Sequence, residues 1–372
     1  MRIGLDARSI GERVCGVSRV TRCLIEALSR VDTENEYVVY TEEVVSRLTI
    51  GKNFQLVRTR CSRMNPLLDL KFSLIMRKDN IDLYHCMHSW LPWFVPQSVK
   101  TIVTVSDLFA VNDPDFFKRY TPFDSLIQSY FARITDRSVR KADAIITISN
   151  YSRREIVKEY PFCDNKIAVV YCAAGIGGEN VYCNNGKRLI HGRYLLYVGN
   201  CRSYKNVGTM VRGYGIFIEA NRGTGVQLVI AGNDDYGEIM ETTKRLNLDR
   251  HVTFLTNPSD GEIANLYFHA YAFVFPSKYE GFGIPVLEAM QFGVPVIISD
   301  ADALTEVAGE AAIVFNRNNP SELASLIERV IGDKELRQSL IQKGYERTKH
   351  FSWELSAAKL RNIYRNIAGK EN

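Results

Sequence analysis

Short apolar runs alternate with longer amphipathic segments along the whole chain. The runs are rich in Val, Ile and aromatic residues, which is typical of strands that are buried on both faces of a sheet. The segments between them repeat their apolar positions at helical spacing. This alternation predicts an α/β fold in which helices cover parallel sheets on both faces.

Both halves of the chain follow this scheme. In the first half the predicted strands are 2–6, 37–40, 55–58, 83–86, 101–105, 144–149 and 167–171, and the predicted helices are 18–29, 66–77, 121–140 and 151–159. In the second half the predicted strands are 194–198, 227–231, 252–255, 272–275, 294–299 and 312–315, and the predicted helices are 206–220, 236–246, 260–269, 284–291, 320–331 and 335–347. A last helix, 352–368, carries an apolar stripe that must pack on another element.

The length of 372 residues favours two domains, because one hydrophobic core seldom serves so long a chain. A cluster of Gly and Asn residues with little apolar periodicity separates the halves. We predict a first domain over 1–171, a linker over 172–191 and a second domain over 192–350. We expect the remaining segment, 351–372, to cross back onto the first domain.

Composition places the chain among ordinary globular proteins, since 46% of its residues are hydrophobic and 24% are charged. No apolar stretch approaches the roughly 20 residues of a membrane span. The amino terminus runs directly into a predicted strand without an export leader. The eight cysteines show no regular spacing and no C-x-x-C pair, so we read them as reduced thiols. We expect a cytoplasmic protein.

Positive charge is concentrated in the first half. Residues 1–190 contain 27 Lys and Arg against 21 Asp and Glu, whereas residues 191–372 contain 20 against 21. Such an excess favours an anionic partner, for example a lipid head group or an acidic glycan carrier. Aromatic clusters at 90–94 and 116–120 favour the inner face of a membrane, while a solvated basic face and ordinary core packing remain open alternatives. We expect no nucleic-acid partner.

The most specific segment of the sequence is 276–290, which reads PSKYEGFGIPVLEAM. It follows an apolar strand, turns through Gly281 and Gly283 and opens a helix with Pro285 near its first position. A helix start presents free amides and the positive end of its dipole to an anion. Glu280 and Glu288 can face the same cavity, where a carboxylate accepts hydrogen bonds from the paired hydroxyls of a ribose or hexose.

This segment, followed by GVPVI at 293–297, resembles the signature of the retaining glycosyltransferases of family four. The resemblance implies the GT-B fold, two facing Rossmann-like domains with an interdomain cleft. It implies an acceptor-binding first domain and a second domain that binds a nucleotide-diphosphate sugar, linked to GDP or UDP. The enzyme would transfer a hexose of the mannose or glucose type to a glycan or lipid-linked acceptor with retention of the anomeric configuration. The reaction would need no cofactor and no metal.

The resemblance also assigns roles in the second domain. It places Glu280 against the donor sugar, Glu288 against the nucleotide ribose, and the donor along Gly281, Phe282, Gly283 and Ile284. Residues 197–206, YVGNCRSYKN, resemble the phosphate-binding loop of the family. Arg202 would clamp the diphosphate bidentately and Lys205 would add a point charge, so that both stabilise the leaving group. Relatives often have Arg or His where this chain has Tyr204.

Weaker matches suggest further contacts. Gly16 resembles a glycine that lets the first domain approach the donor phosphates. Asn257 lies where relatives contact the base. Relatives often have His-Asp after the strand 101–105, where this chain has Ser106 and Asp107. We predict Ser106 as an acceptor-side hydrogen-bonding group, Asp107 as the substitute catalytic residue and His85 as a second acceptor-side contact.

Other patterns favour different chemistry and are set aside. Asp300-x-Asp302 and Asp113-x-Asp115 imitate a metal-binding D-x-D pair, His85-Cys86-x-His88 imitates a soft-metal site, and Gly175-x-Gly177 lacks the strand and helix of a dinucleotide site. Two functions of other classes stay open. One is a nucleotide-sugar epimerase of GT-B shape, and the other is a catalytically silent nucleotide-sugar-binding subunit.

Overall fold

The computed structural model describes residues 1–10, 16–42, 48–61, 66–112, 124–176, 188–233 and 236–369. The chain divides into two compact units. The first unit comprises Met1–Cys172 together with Ser352–Asn372, and the second unit comprises Ala173–Phe351. Each unit is built on its own parallel sheet.

The first unit contains a seven-stranded parallel sheet in the order β3-β2-β1-β4-β5-β6-β7. Its strands are β1 Arg2–Asp6, β2 Glu36–Thr41, β3 Phe54–Arg58, β4 Leu83–Cys86, β5 Lys100–Thr104, β6 Ala144–Thr147 and β7 Ile167–Val169. Its helices are α1 Gly16–Val31, α2 Pro66–Lys78, α3 Phe109–Asn112, α4 Asp124–Lys141, α5 Asn150–Glu159 and the last helix, α13 Trp353–Ile367.

The second unit contains a six-stranded parallel sheet in the order β10-β9-β8-β11-β12-β13. Its strands are β8 Arg193–Val198, β9 Val226–Gly232, β10 Val252–Thr256, β11 Ala272–Phe275, β12 Val296–Ser299 and β13 Ala312–Phe315. Its helices are α6 Val207–Ala220, α7 Gly237–Arg245, α8 Asp260–His269, α9 Ile284–Gln291, α10 Asp302–Ala308, α11 Pro320–Gly332 and α12 Lys334–Thr348.

The strand order reverses once in each sheet. In the first sheet the reversal falls between β1 and β4, and in the second it falls between β8 and β11. Connections diverge to opposite sides at such a point, which leaves a crevice beyond the carboxyl ends of the two strands. We call these places the first switch point, beyond Asp6 and Cys86, and the second switch point, beyond Val198 and Phe275.

The predicted fold of two Rossmann-like units with parallel sheets is confirmed. Every predicted strand is present, with ends that differ by a few residues. Two helices of the described chain were not predicted, α3 and α10. With four and seven residues they are too short to show a helical period. In the part of the chain that the structure describes, no helix has both the length and the apolar character to cross a bilayer.

Helix α13 packs on α1 of the first unit. Its buried stripe includes Trp353, Leu360 and Tyr364. The Ser356 hydroxyl donates to the Tyr171 carbonyl over 2.6 Å, and Arg361 donates to the carbonyl at the end of α1 over 2.9 Å. The first unit is therefore built from two separate stretches of the chain.

Candidate functional site

The second switch point holds an ion pair between two loops. Lys205 follows β8 and Glu280 follows β11, and the Lys205 Nζ lies 2.6 Å from the Glu280 Oε1. Their side chains are 13% and 12% exposed. Both charges thus reach the crevice while the surrounding protein screens them from most of the solvent, which strengthens their action on a bound anion or hydroxyl.

Asn206 joins the two loops that carry this pair. It precedes α6 with a φ of 56°, a left-handed conformation that Asn tolerates better than most residues. Its Nδ2 donates to the Pro276 carbonyl over 3.1 Å and to the Arg317 carbonyl over 2.8 Å. The Lys278 amide also donates to the Tyr204 carbonyl over 2.7 Å. Asn206 is not among the predicted site residues, although an Asn directly before a helix is a recognisable signal.

Gly283 begins the helix that carries the second glutamate. It has a φ of 108° and caps α9. A Cβ at this position would lie 2.6 Å from the Leu304 Cδ2, so packing and backbone conformation both require glycine. Val286 donates its amide to the Gly283 carbonyl over 3.0 Å, which opens the first turn. Pro285 has no N–H, so an anion at this helix start would accept from the amides of Gly283 and Ile284.

Phe282 contributes its side chain to the core. The ring is 2% exposed and packs edge-on against Phe351, with the ring centres 5.7 Å apart. The ring is therefore part of the core, and the predicted donor contact stays a prediction for the main chain of Phe282. Gly281 is buried beside it, and Ile284, the first residue of α9, is half-buried.

Glu288 is 2% exposed and already accepts hydrogen bonds within the second unit. Its Oε1 accepts from the Gly175 amide over 3.2 Å, and its Oε2 accepts from the Tyr267 hydroxyl over 3.1 Å. These two bonds fix the orientation of the carboxylate. The role of Glu288 in ribose binding stays a prediction.

Arg202 and Asn257 also lie beyond carboxyl ends of strands in the second sheet. Arg202 is half-buried and precedes the turn Ser203–Lys205, and its amide donates to the Asn200 Oδ1 over 3.3 Å. Asn257 is exposed, has a φ of 53° and donates its amide to the Gly232 carbonyl over 2.9 Å. Both residues thus share the sheet edge with Lys205 and Glu280.

The first switch point is filled by a buried network. Arg8 donates to both carboxylate oxygens of Asp6, over 2.9 and 2.8 Å, and the Tyr84 hydroxyl donates to Asp6 over 2.6 Å. The guanidinium stacks 4.0 Å above the Phe72 ring. Burial raises the pKa of Asp6, but Arg8 and the hydrogen bonds more than offset it, so this pKa lies well below its ordinary value.

Cys86 and His88 adjoin the same carboxylate. One potential ligand atom from each of Asp6, Cys86 and His88 lies within 4.8 Å of the others, and all three residues are buried. Arg8 already neutralises Asp6, so a metal cation at this place would meet a guanidinium. His85 is not part of the cluster, because neighbouring strand residues point to opposite faces.

His85 corrects one prediction of an acceptor contact. It is 0% exposed, its Nδ1 lies 2.7 Å from the Tyr364 hydroxyl and its Nε2 lies 2.8 Å from the Thr104 hydroxyl. Burial lowers the pKa of His85 to about 3, which keeps the ring neutral. The residue holds α13 to the sheet and does not face an acceptor, so that prediction is wrong.

The other first-unit predictions concern Ser106, Asp107 and Gly16. Ser106 and Asp107 follow β5 and are half-buried. The Asp107 Oδ1 accepts from the Phe109 amide over 3.0 Å at the start of α3. Gly16 is the exposed first residue of α1, and among the described residues no atom lies within 4 Å of the place where its Cβ would be. Their proposed contacts with substrate stay predictions.

Asp300 forms an ion pair with Arg317 of the second unit. The Arg317 Nε donates to the Asp300 Oδ1 over 2.5 Å. Burial raises the pKa of Asp300, but hydrogen bonds from Arg317 outweigh it and the pKa falls below its ordinary value. Asp302 is exposed at the start of α10. Asp113, Asp115 and the aromatic stretch 116–120 lie outside the described residues.

Comparisons with known protein families cover both units. A family model described as "Glycosyl transferases group 1" matches residues 189–347. A second, described as "Glycosyltransferase Family 4", matches residues 14–174. Together the two models span most of the chain.

Individual relatives agree with these matches. The chain is 27% identical over 291 residues to O-antigen chain mannosyltransferase B of Escherichia coli, which covers 76% of this chain and 74% of the relative. Among solved structures, sucrose-phosphate synthase (tll1590) of Thermosynechococcus elongatus superposes with a TM-score of 0.79 at 19% identity, over 100% of both chains. Alr3699/HepE of Anabaena, solved with UDP and glucose, gives a TM-score of 0.71 at 14% identity, over 98% of this chain and 100% of that one.

Proposed function

Because the chain belongs to the group 1 glycosyltransferases of family four, with the GT-B fold, we propose that it transfers a hexose from a nucleotide-diphosphate sugar. The sugar is of the mannose or glucose type. The acceptor is a glycan or a lipid-linked sugar. The anomeric configuration is retained and the reaction needs no metal ion.

The observation that carries this proposal is the contact between Lys205 and Glu280 at the second switch point, 2.6 Å apart on loops that Asn206 ties together. The contact fixes the orientation of the Glu280 carboxylate, and the positive charge of Lys205 attracts a diphosphate that binds beside it. Sugar and diphosphate, which are covalently joined in the donor, would then lie against adjacent side chains.

The proposed chemistry concentrates on the leaving group. As the bond between the sugar C1 and the diphosphate oxygen breaks, Lys205, Arg202 and the amides that open α9 stabilise the negative charge. Glu280 orients the sugar hydroxyls. The acceptor oxygen bonds to C1 on the face that the diphosphate leaves, and a diphosphate oxygen takes the acceptor proton. This route accounts for retention without a covalent intermediate.

The relatives support the substrate class in general terms. Escherichia coli O-antigen chain mannosyltransferase B acts on mannose by name, and HepE was solved with UDP and glucose. We therefore propose GDP- and UDP-linked hexoses as the donors to test. We also propose that the first unit binds the acceptor, with Ser106 and Asp107 as contacts, and that the enzyme works in the cytoplasm at the inner face of a membrane.

Two measurements on the purified chain test this proposal. A thermal-shift screen against GDP- and UDP-hexoses identifies the donor, because a ligand that binds the folded state raises the melting temperature. Transfer is then measured with that donor and a panel of glycan and polyprenyl-linked acceptors in the presence of a chelator. Nuclear magnetic resonance of the product reports the anomeric configuration.

The same measurements separate the rival functions. We expect acceptor-dependent release of nucleoside diphosphate and a product with the configuration of the donor. Conversion of the donor without any acceptor would indicate an epimerase instead. Donor binding without turnover on any acceptor would indicate a silent binding subunit, and an inverted product would contradict the proposed mechanism.

A further inference from the structure

The loop that leads from β11 to Glu280 is held through three consecutive main-chain carbonyls. Each carbonyl accepts a hydrogen bond from a side chain of another segment of the second unit. The pairs, carbonyl first, are Pro276 with Asn206 over 3.1 Å, Ser277 with Ser299, and Lys278 with Arg317 over 2.5 Å. The donors lie directly before α6, at the end of β12 and just after β13, so three parts of the second unit fix the path of the loop.

Lys278 is fixed through both its amide and its carbonyl, two positions before Glu280. The amide donates to the Tyr204 carbonyl over 2.7 Å, and the carbonyl accepts from Arg317. Tyr204 directly precedes Lys205 in the chain. The main chain that leads to Glu280 is therefore bonded to the loop of Lys205 by one group and to Arg317 by the other.

The Arg317 guanidinium bridges the ends of two strands. It donates to the Lys278 carbonyl after β11, and it also contacts Asp300, which directly follows β12. Its Nε donates to the Asp300 Oδ1 and its Nη2 donates to the Asp300 carbonyl, each over 2.5 Å. The Arg317 carbonyl in turn accepts from the Asn206 side chain over 2.8 Å. Arg317 thus bonds to the segments that follow β8, β11 and β12.

We propose that Arg317 is a positioning residue for the transfer reaction. It holds the main chain at Lys278, so that the Glu280 carboxylate stays aligned with the donor sugar. Groups that act at a transition state need to be held to within about 0.5 Å, and a displacement of about 1 Å can cost about a hundredfold in rate. Asp300 acts through Arg317, because its carboxylate orients the guanidinium. The inference rests on the proposed function for the role of Glu280.

The arrangement requires the shape of the guanidinium as well as its charge. Three nitrogens of one rigid plane donate to three acceptors, which are two carbonyls and a carboxylate oxygen. A lysine has one nitrogen in place of three and cannot occupy all three donor positions. Arg317→Lys therefore separates a positioning role from simple attraction of the donor diphosphate, which the charge of a lysine would also provide.

Hydrogen exchange of the free protein tests the positioning without any substrate. Arg317→Ala and Arg317→Lys should each speed the exchange of peptides that span 276–281 by about tenfold, because a charge-assisted hydrogen bond that restrains the loop is lost. The control is Arg193→Ala. Arg193 begins β8, at the opposite end of the strand from the second switch point, and it also donates to a carbonyl, that of Thr224, over 3.3 Å. Melting temperatures verify that the variants fold.

Steady-state kinetics measure the effect on transfer. Both Arg317 variants should lower kcat by about tenfold to a hundredfold. KM for the donor should stay nearly unchanged, since Lys205 and Arg202 are proposed to hold the diphosphate. D300A/R317A should be no slower than Arg317→Ala, because Asp300 acts through the guanidinium.

Chemical rescue separates positioning from a loss of stability. Guanidinium chloride, at concentrations that leave the protein folded, should restore part of the rate of Arg317→Ala and none to Arg317→Lys, whose side chain still fills the place. A variant that is merely destabilised would lose activity instead, because guanidinium favours the unfolded state. Arg193→Ala should transfer at the rate of the unmodified chain with and without the salt.

Faster exchange at 276–281 and a lower kcat in both Arg317 variants, with Arg193→Ala unchanged, support the inference. Exchange like that of the unmodified chain in Arg317→Ala would overturn it, whatever the chain transfers. A normal kcat in Arg317→Lys would also overturn it and would assign the effect to charge alone. If the unmodified chain transfers no sugar, the proposed function fails, and the exchange measurement still decides whether Arg317 holds the loop.

Discussion

The two switch points have the same topology and opposite character. At the first, Asp6 and Arg8 form an ion pair whose side chains are 0% and 1% exposed. At the second, Glu280 and Lys205 form an ion pair whose side chains are 12% and 13% exposed. Both pairs lie beyond the carboxyl ends of strands next to a reversal of strand order. The same position in the fold thus carries a closed charge pair in one unit and an open one in the other.

This difference indicates where the protein uses charge for structure and where it keeps charge for chemistry. The charges of a buried pair contact protein groups and no longer contact water. Such a pair cannot bind a substrate unless those contacts are broken. A pair at the rim of a crevice keeps room for another ligand. Position at a switch point therefore predicts a candidate site, and exposure decides which candidate remains available.

The largest expected effect comes from breaking the open pair. Glu280→Gln and Lys205→Ala should each reduce transfer by about a thousandfold, because removal of one preorganised charge at a transition state costs on the order of 10² to 10³ in rate. Melting temperatures without ligand should change little. Glu354→Gln is the matched control, since it removes the exposed pair with Arg30 in the first unit. Near-normal turnover in either site variant would contradict the assignment.

Breaking the sealed pair should instead cost stability. Asp6→Asn leaves a buried guanidinium without its counter-charge and should destabilise the first unit by about 3–5 kcal/mol. Hydrogen exchange monitored on first-unit peptides in urea measures the loss. The double variant D6L/R8M should recover part of it, because an apolar pair leaves no unpaired charge. If Asp6→Asn costs under about 1 kcal/mol, the pair is not the structural element described here.

His85 lies on the opposite face of β4 from this network. Because it is buried and neutral, we expect the stability of the first unit to fall at acidic pH. In the unfolded chain the imidazole of His85 takes up a proton as the pH falls through its ordinary pKa of 6.5, whereas in the folded chain its pKa is about 3. The contribution of the neutral, buried His85 to the free energy of unfolding is therefore fully present above pH 6.5 and is lost progressively on acidification. Between pH 6.5 and 4.5 the free energy of unfolding should fall by about 2–3 kcal/mol on this account.

Urea titrations at the two pH values measure this loss. His85→Gln should show a smaller pH dependence, even if it is less stable at both values. Substitution of the exposed His251 by Gln is the control and should leave the slope unchanged. An equal slope in His85→Gln would contradict the role of His85.

A smaller effect is expected at the helix start of the second switch point. Gly283→Ala places a Cβ 2.6 Å from the Leu304 Cδ2 in a left-handed conformation and should destabilise the second unit by about 2 kcal/mol. Donor affinity should fall as well, because the amides of α9 shift. Gly261→Ala, where a Cβ meets open space in α8, should cause no loss of stability. Calorimetry with and without the donor measures both effects.

The smallest effect is expected from metal removal. Chelation should leave the rate of transfer unchanged, because cations of the protein are proposed to stabilise the diphosphate. Asp300→Asn should cost at most about 1 kcal/mol, since the Asp300 side chain is 41% exposed and its pair with Arg317 is screened by solvent. A rate that falls on chelation and returns with a divalent cation would refute metal independence.

Local sequence signals accounted for most of the fold. Runs of β-branched residues identify the strands, and spacing reveals the longer helices, but a period cannot be seen in α3 or α10. The apolar stripe of α13 indicates that one face of the helix is buried, but it does not show that the helix packs on α1. The strand order follows from tertiary packing, so the sequence did not locate the two reversals.

The candidate site was foreseen in part. Glu280 and Lys205 stand out by motif, yet their contact depends on a β8–β11 pairing between residues far apart in the chain. His85 was misjudged, because a residue at a strand end can face the core as easily as a ligand, and the side chain of Phe282 faces the core as well. Only the positions of Tyr364 in α13 and of Phe351, between α12 and α13, decide these orientations.

The discontinuity of the first unit bears on how the polypeptide acquires its structure during synthesis. The ribosome completes all of Ala173–Phe351 before it makes α13, so the second unit can fold while the first still lacks a helix. Until Tyr364 emerges, His85 has no aromatic cover and the surface of α1 that receives α13 stays open to water. Nascent chains halted before residue 352 should therefore engage chaperones through the amino-terminal part of the protein.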